Sequence, residues 1–165
     1  MPSAEMRQRL AEQQAALVEA LTVGKTPPPG FAAERFAVAA EALARKRARS
    51  ASKAMPILAQ SLGERFGERF AAFAAVTPLP EEGGPFADAR AFARYVAARG
   101  ELPEDARLEV MAVDLHQKST RRGLVPRRGF ALRAAVLWRA RRFVLGIRVP
   151  WLGVRWLSLP FGRRA

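Results

Sequence analysis

"RRGFALRAAVLWRARRFVLGIRVPWLGVRWLSLPFGRR", residues 127–164, alternates oily and cationic side chains and contains no acid. Phe130, Leu132, Ala134, Val136 and Trp138 interleave with Ala131, Arg133, Ala135, Leu137 and Arg139, a period of two that belongs to a half-buried strand. "FVLGIRV", 143–149, alternates in the same way, with Phe143, Leu145, Ile147 and Val149 expected inward and Gly146 and Arg148 outward. "PWLG", 150–153, reads as a turn, and "VRWLSL", 154–159, as a third strand. Separations this short require antiparallel pairing. The stretch is therefore expected to be a three-stranded meander, oily on one side and studded with arginine on the other. Residues 127–145 are also rich enough in alanine and arginine to suit a helix.

Charge segregates with this stretch. Residues 1–114 carry 15 Lys+Arg against 15 Asp+Glu, whereas residues 115–165 carry 13 Lys+Arg and no acid, so the net +13 belongs to the last third. A spanning helix needs ~20 mostly apolar residues. Arginines at 127, 128, 133, 139, 141, 142, 148, 155, 163 and 164 leave no uncharged run longer than seven. No span is expected, although a cationic face suits attachment to anionic lipid.

Upstream the period is helical. Ser3 is a candidate N-cap, and Met6, Leu10, Leu17 and Leu21 recur at helical spacing until Thr22 and Gly24. "TPPPG", 26–30, breaks the chain. A second helix from about Ala32 carries Phe36, Ala40, Leu43 and Ala44 on one face and Arg45, Arg49 and Lys53 as a basic stripe. That stripe reads as a solvated face or a partner-facing one. Pro56 opens "PILAQSL", which Gly63 interrupts, and Phe66, Phe70 and Phe73 of "GERFGERFAAF" stack at i, i+4, i+7 as core. "TPLPEEGGP" is a loop. Ala89, Phe92 and Val96 mark a further helix closing at Gly100, and Leu108, Met111 and Leu115 another that begins at Pro103. The expected class is α+β: about five helices in a bundle over 1–116, a basic linker over 117–129, and a basic antiparallel three-stranded module over 130–165.

Several chemistries lack their residues. Without cysteine there are no disulfides, thiolate nucleophiles or cysteine-type zinc sites. One histidine, His116, cannot form a multi-histidine metal site, and its place at a helix end suits a surface or capping role. No phosphate-loop, dinucleotide or nucleophile-elbow motif occurs. No catalytic, cofactor-binding or metal-binding residue is nominated, and no cofactor is expected. The first residues reach charge too soon for a signal-peptide apolar region, which makes a cytoplasmic protein the default.

Three roles suit a cationic strand module. Nucleic acid is one: Arg133, Arg139, Arg148 and Arg155 could project from one sheet face, with Arg141 and Arg142 at its turn, while Trp151 and Trp156 stack on bases. No sequence-reading motif supports that reading. Capture of an acidic peptide along an exposed sheet edge is another, with the same arginines as contacts. In the third, the arginines merely solubilise a small sheet. An enzyme ranks last.

The order of "PPPGFAAERFAVAAEALARKRA", "MPILAQSLGERFGERFAAFA" and "LPEDARLEVMAVDL" across residues 6–115 resembles the N-terminal helical domain, long labelled DNA-binding, of HvfC/BufC-like proteins. The matching features are "ERFAV" at 34–38 after a Pro-Gly loop, Met55 with Pro56, "LGERF" at 62–66 and "LPEDARLE" at 102–109. Where that family has a Tyr-Arg-Asn-Asn-like run, this chain has "AAEA" at 39–42, so the role of that run has no residues here. The resemblance implies a non-catalytic accessory protein of a multinuclear non-haem iron oxidase that modifies ribosomally made peptides. The helical bundle would dock the enzyme, and the C-terminal part, similar to that of actinobacterial versions, would present the precursor peptide. The iron would belong to the partner.

Overall fold

The structure is a computed structural model that describes residues 4–23 and 29–162. The Ser3 cap, Gly24, Pro27, Pro28 and the arginines at 163 and 164 lie outside the described residues. Six helices precede the strands: α1 (Ala4–Val23), α2 (Ala33–Ala54), α3 (Pro56–Leu62), α4 (Arg65–Ala74), α5 (Gly84–Ala97) and α6 (Glu104–His116). Two short strands, β1 (Gln117–Ser119) and β2 (Leu124–Pro126), come next, then β3 (Ala131–Leu137), β4 (Arg142–Val149) and β5 (Gly153–Pro160). The expected α+β order holds, with one helix more than the sequence suggested. Gly63, at φ 56°, divides α3 from α4. Its N–H closes α3 on the carbonyls of Ala59 and Gln60.

The chain divides into two compact units. One comprises Met1–Ser50 and Glu64–Leu79, the other Ala51–Gly63 and Pro80–Ala165. In the first, Phe36, Phe66, Phe70 and Phe73 are buried as their spacing requires. Phe70 stacks on Phe66 at 5.8 Å and meets Phe73 edge-on at 5.4 Å. On α1, Leu17 and Leu21 are half-buried beside buried Ala20, whereas Met6 and Leu10, expected on the same face, are exposed. One core member was not foreseen. Arg47 is 5% exposed, and its guanidinium donates to the carbonyls of Thr22 (3.3 Å), Ala74 (3.4 Å) and Thr77 (3.1 Å). It also lies 5.7 Å from the Phe73 ring centre. A buried guanidinium is tolerable only with such partners. Here it supplies the donors that helix ends lack.

In the second unit Ala89, Phe92, Val96, Met111 and Leu115 form the core together with Met55 and Leu58. The Glu109 carboxylate accepts the N–H groups of Ile57 (3.1 Å) and Leu58 (2.7 Å), so a side chain of α6 caps the start of α3. Residues 117–129, expected as a linker, hold a hairpin in which Lys118 pairs with Val125. Glu82 anchors it by donating to the Arg122 carbonyl (3.0 Å) and accepting from the Leu124 N–H (3.2 Å). Gly123 is required there, because a Cβ would stand 2.0 Å from the Glu82 carbonyl oxygen. Arg122 bonds Glu81 at 2.6 Å, and that bond, with the charges of Glu81 and Glu82, raises its guanidinium pKa above the usual value. Among the described residues no helix is long and apolar enough to cross a membrane.

Candidate functional site: the three-stranded sheet

Strands β3, β4 and β5 form one antiparallel sheet in chain order. Opposed residues share a face, so register sorts the side chains. Arg133, Gly146 and Trp156 form one row of a first face; Ala135, Val144 and Ser158 form the next. Leu132, Ile147 and Arg155 lie across from one another on the second face, followed by Ala134, Leu145 and Leu157, then Val136, Phe143 and Leu159.

The covered face is the first one. Leu137 and Val144 are buried there. A Cβ on Gly146 would come within 2.5 Å of Leu115 Cδ1, which places α6 directly against the strand. This reverses the expected orientation. Phe143, Leu145 and Ile147 face outward, and Gly146 and Arg148 face the helix. Alternation divides a strand into two faces without saying which is covered. Close approach decides it: a helix seats best where the strand offers Gly, Ala and Val, while long arginine stems pass beside it to water.

The arginines consequently do not share a side. Arg133, Arg142 and Arg148 have the inner parity, and Arg155 stands on the outer face. Arg133 lies 3.7 Å from Asp114 of α6 and donates to the Leu132 carbonyl at 2.9 Å. Asp114 is itself held by Arg90 in two bonds of 2.6 and 2.9 Å, so α5, α6 and β3 meet on one carboxylate. Arg142 reaches the Ser158 hydroxyl at 3.3 Å, and the Arg148 Nε is buried without a partner. Arg139 and Arg141 belong to the β3–β4 turn. The Arg139 main-chain N–H donates to Glu104 at 2.9 Å, and Arg141 has φ 51°. Arg155 is exposed at the middle strand's flank, opposite Ile147. On α2, Arg45, Arg49 and Lys53 are all exposed, with Arg45 paired to Glu41 at 3.0 Å. His116 turns its Nδ1 to the Ala112 carbonyl at 2.9 Å, inside its own helix.

Two exposed surfaces of the sheet bear on binding. The first is the outer face, where Leu132, Leu157 and Leu159 are 58%, 50% and 49% exposed. Ring pairs stand at its two ends: Phe130 with Trp151 (6.3 Å between centres) and Trp138 with Phe161 (5.6 Å). Trp156, by contrast, covers Gly146 on the inner face. The second is the rim of β5, which, like β3 on the other side, has no further strand beside it among the described residues. The Phe161 N–H donates to the Arg141 carbonyl at 3.0 Å, continuing the β4–β5 ladder. Antiparallel bonding alternates, so Arg155, Leu157 and Leu159 turn their main chain to β4 while Val154, Trp156 and Ser158 turn theirs outward. Pro160 ends that rim without an N–H. Sequence reasoning found the arginines and an exposed sheet edge, without saying which strand supplies it, and turned the oily face inward. The pairing of Leu132, Ile147, Leu157 and Leu159 follows from register, which spacing alone does not supply.

Residues 11–98 match the family model described as SCO6045-like, C-terminal domain. A UPF0276 protein of Streptomyces avermitilis is 42% identical over 105 residues, which cover 64% of this chain and 21% of that protein. The chain thus spans about a fifth of that relative's length. No solved structure matches.

Proposed function

The chain belongs to the SCO6045-like C-terminal domain family, and from that premise we propose that it is a non-catalytic accessory module of a larger enzyme. Its task is to hold an extended acidic peptide segment along the rim of β5. The observation that carries this reading is the coincidence of an open rim at Val154, Trp156 and Ser158 with 51 residues that hold 13 cations and no acid. Strand addition takes its affinity from main-chain hydrogen bonds and its selectivity from neighbouring side chains. Arg155 and Arg142 flank the rim on opposite faces and favour carboxylates.

The relative supports a larger partner, since about four-fifths of its length lies outside the match. By the resemblance to HvfC/BufC-like proteins, that partner is a multinuclear non-haem iron oxidase and the segment a ribosomally made precursor, met in the cytoplasm. The enzyme supplies the chemistry and this chain supplies position. Affinity co-purification from the native host tests the proposal. Recovery of an iron oxidase together with a small acidic peptide is expected, and Ser158→Pro, which removes an outward N–H, should release the peptide. Recovery of nucleic acid alone would overturn it.

A second reading, binding of single-stranded nucleic acid, is favoured by the exposure of Trp151 (80%) and Trp138 (68%) among arginines. A mobility-shift series separates the two. Phosphate-driven binding weakens by orders of magnitude between roughly 50 and 200 mM salt when several phosphates are engaged. Strand addition weakens far less.

A further inference from the structure

The outer face of the sheet is not needed to hold a strand at the rim, yet it exposes Leu132, Phe143, Ile147, Leu157 and Leu159. Its rows run from the Phe130–Trp151 pair through Leu132, Ile147, Leu157, Phe143 and Leu159 to the Trp138–Phe161 pair, interrupted by one charge, Arg155. At ~3.3 Å per residue and ~4.8 Å between strands, this is roughly 26 by 14 Å, or about 350–400 Å². A contiguous apolar patch of that size matches the largest on a typical monomer, and such patches are often functional. The opposite face is already covered by α6, so the sheet is a middle layer with one outer layer missing.

We propose that this outer face docks the larger partner protein itself, through an apolar surface bordered by carboxylates, with Arg155 forming an ion pair within the contact. The inference rests on the accessory reading above and adds where the partner sits. Charge argues against a second copy as the occupant. Two copies would set Arg155 against Arg155, and the acid-free segment around it supplies no carboxylate to pair with either. Area argues the same way, because a stable free-standing interface buries about 800 Å² per partner, roughly twice this face. A contact of this size suffices when the two parts are joined or share a second ligand. In the Streptomyces avermitilis relative, the matching segment belongs to a chain about five times as long.

That relative provides the probe. The part of it outside the match, expressed without the matching segment, is titrated calorimetrically with this full chain. Association is expected, and Leu157→Asp and Arg155→Glu should each weaken it about tenfold or more, the scale of losing one central apolar or ionic contact. Ser158→Pro, which blocks the rim and leaves the outer face intact, should change the affinity less than about twofold. Circular dichroism verifies that each variant is folded; Ile147→Asp serves in place of any variant that is not. No association, or association indifferent to the outer-face variants, overturns the proposal. So does self-association abolished by Leu157→Asp, which would make the occupant a second copy. Binding to phosphatidylglycerol vesicles with the same sensitivity would make it a lipid surface. The accessory reading fails separately, if the native host yields no peptide and no enzyme.

Discussion

Gly146 is where the seating of the sheet on its helix can be measured. A Cβ there would lie 2.5 Å from Leu115 Cδ1 and 2.9 Å from the Trp156 ring. Carbon atoms rest at about 3.5–4.0 Å, so Gly146→Ala demands a displacement of roughly 1 Å. Trp156 is 46% exposed and can swing away, whereas Leu115 is fully buried and cannot. The expected cost is overpacking of about 1–3 kcal/mol, offset by the ~0.5–1 kcal/mol that a strand gains when glycine becomes alanine. A net loss of ~1 kcal/mol lowers the melting temperature of a unit of about 100 residues by roughly 4–8 °C. Thermal unfolding followed by circular dichroism reads this directly. Leu115→Ala supplies the control: alone it should cost about 2–5 kcal/mol, and Gly146→Ala added to it should cost far less than on the parent chain. A neutral or stabilising Gly146→Ala, additive with Leu115→Ala, would refute the claim that α6 lies against Gly146.

Other perturbations probe the remaining joints. Arg47→Lys should cost at least ~2 kcal/mol in urea unfolding, because one ammonium cannot span the carbonyls of Thr22, Ala74 and Thr77; a loss below ~0.5 kcal/mol would argue that they need no shared donor. Glu109→Ala should destabilise by about 1–2 kcal/mol by uncapping Ile57 and Leu58, with faster amide exchange at those two residues as the specific readout. Arg141→Gly should raise stability by up to ~1 kcal/mol, since φ 51° is costly for any side chain; a loss instead would show that the guanidinium contributes more than the backbone strain removes.

The element types were legible because their periods are clean. Phe66, Phe70 and Phe73 at helical spacing are core, and the strands expected at 130–139, 143–149 and 154–159 occur at 131–137, 142–149 and 153–160. What escaped notice depends on partners distant in sequence. The β1–β2 hairpin is three residues per strand and reads as a basic linker until Glu82 is seen to anchor it. Arg47 sits among Arg45, Lys46 and Arg49, and nothing in the run distinguishes the one that turns inward. The site was half legible. Its arginines are obvious in composition, but a shared arginine face required knowing that α6 takes the Gly146 side.

Pro160 carries a consequence for how the molecule keeps its own company. A bare strand margin is a template, and an unlimited one recruits copy after copy into stacked ribbons that grow toward fibrils. Here the margin offers main chain from Val154 to Ser158 and then meets a residue that cannot donate. On this margin, growth by strand addition loses a donor at Pro160, which leaves Val154, Trp156 and Ser158 as its outward N–H groups.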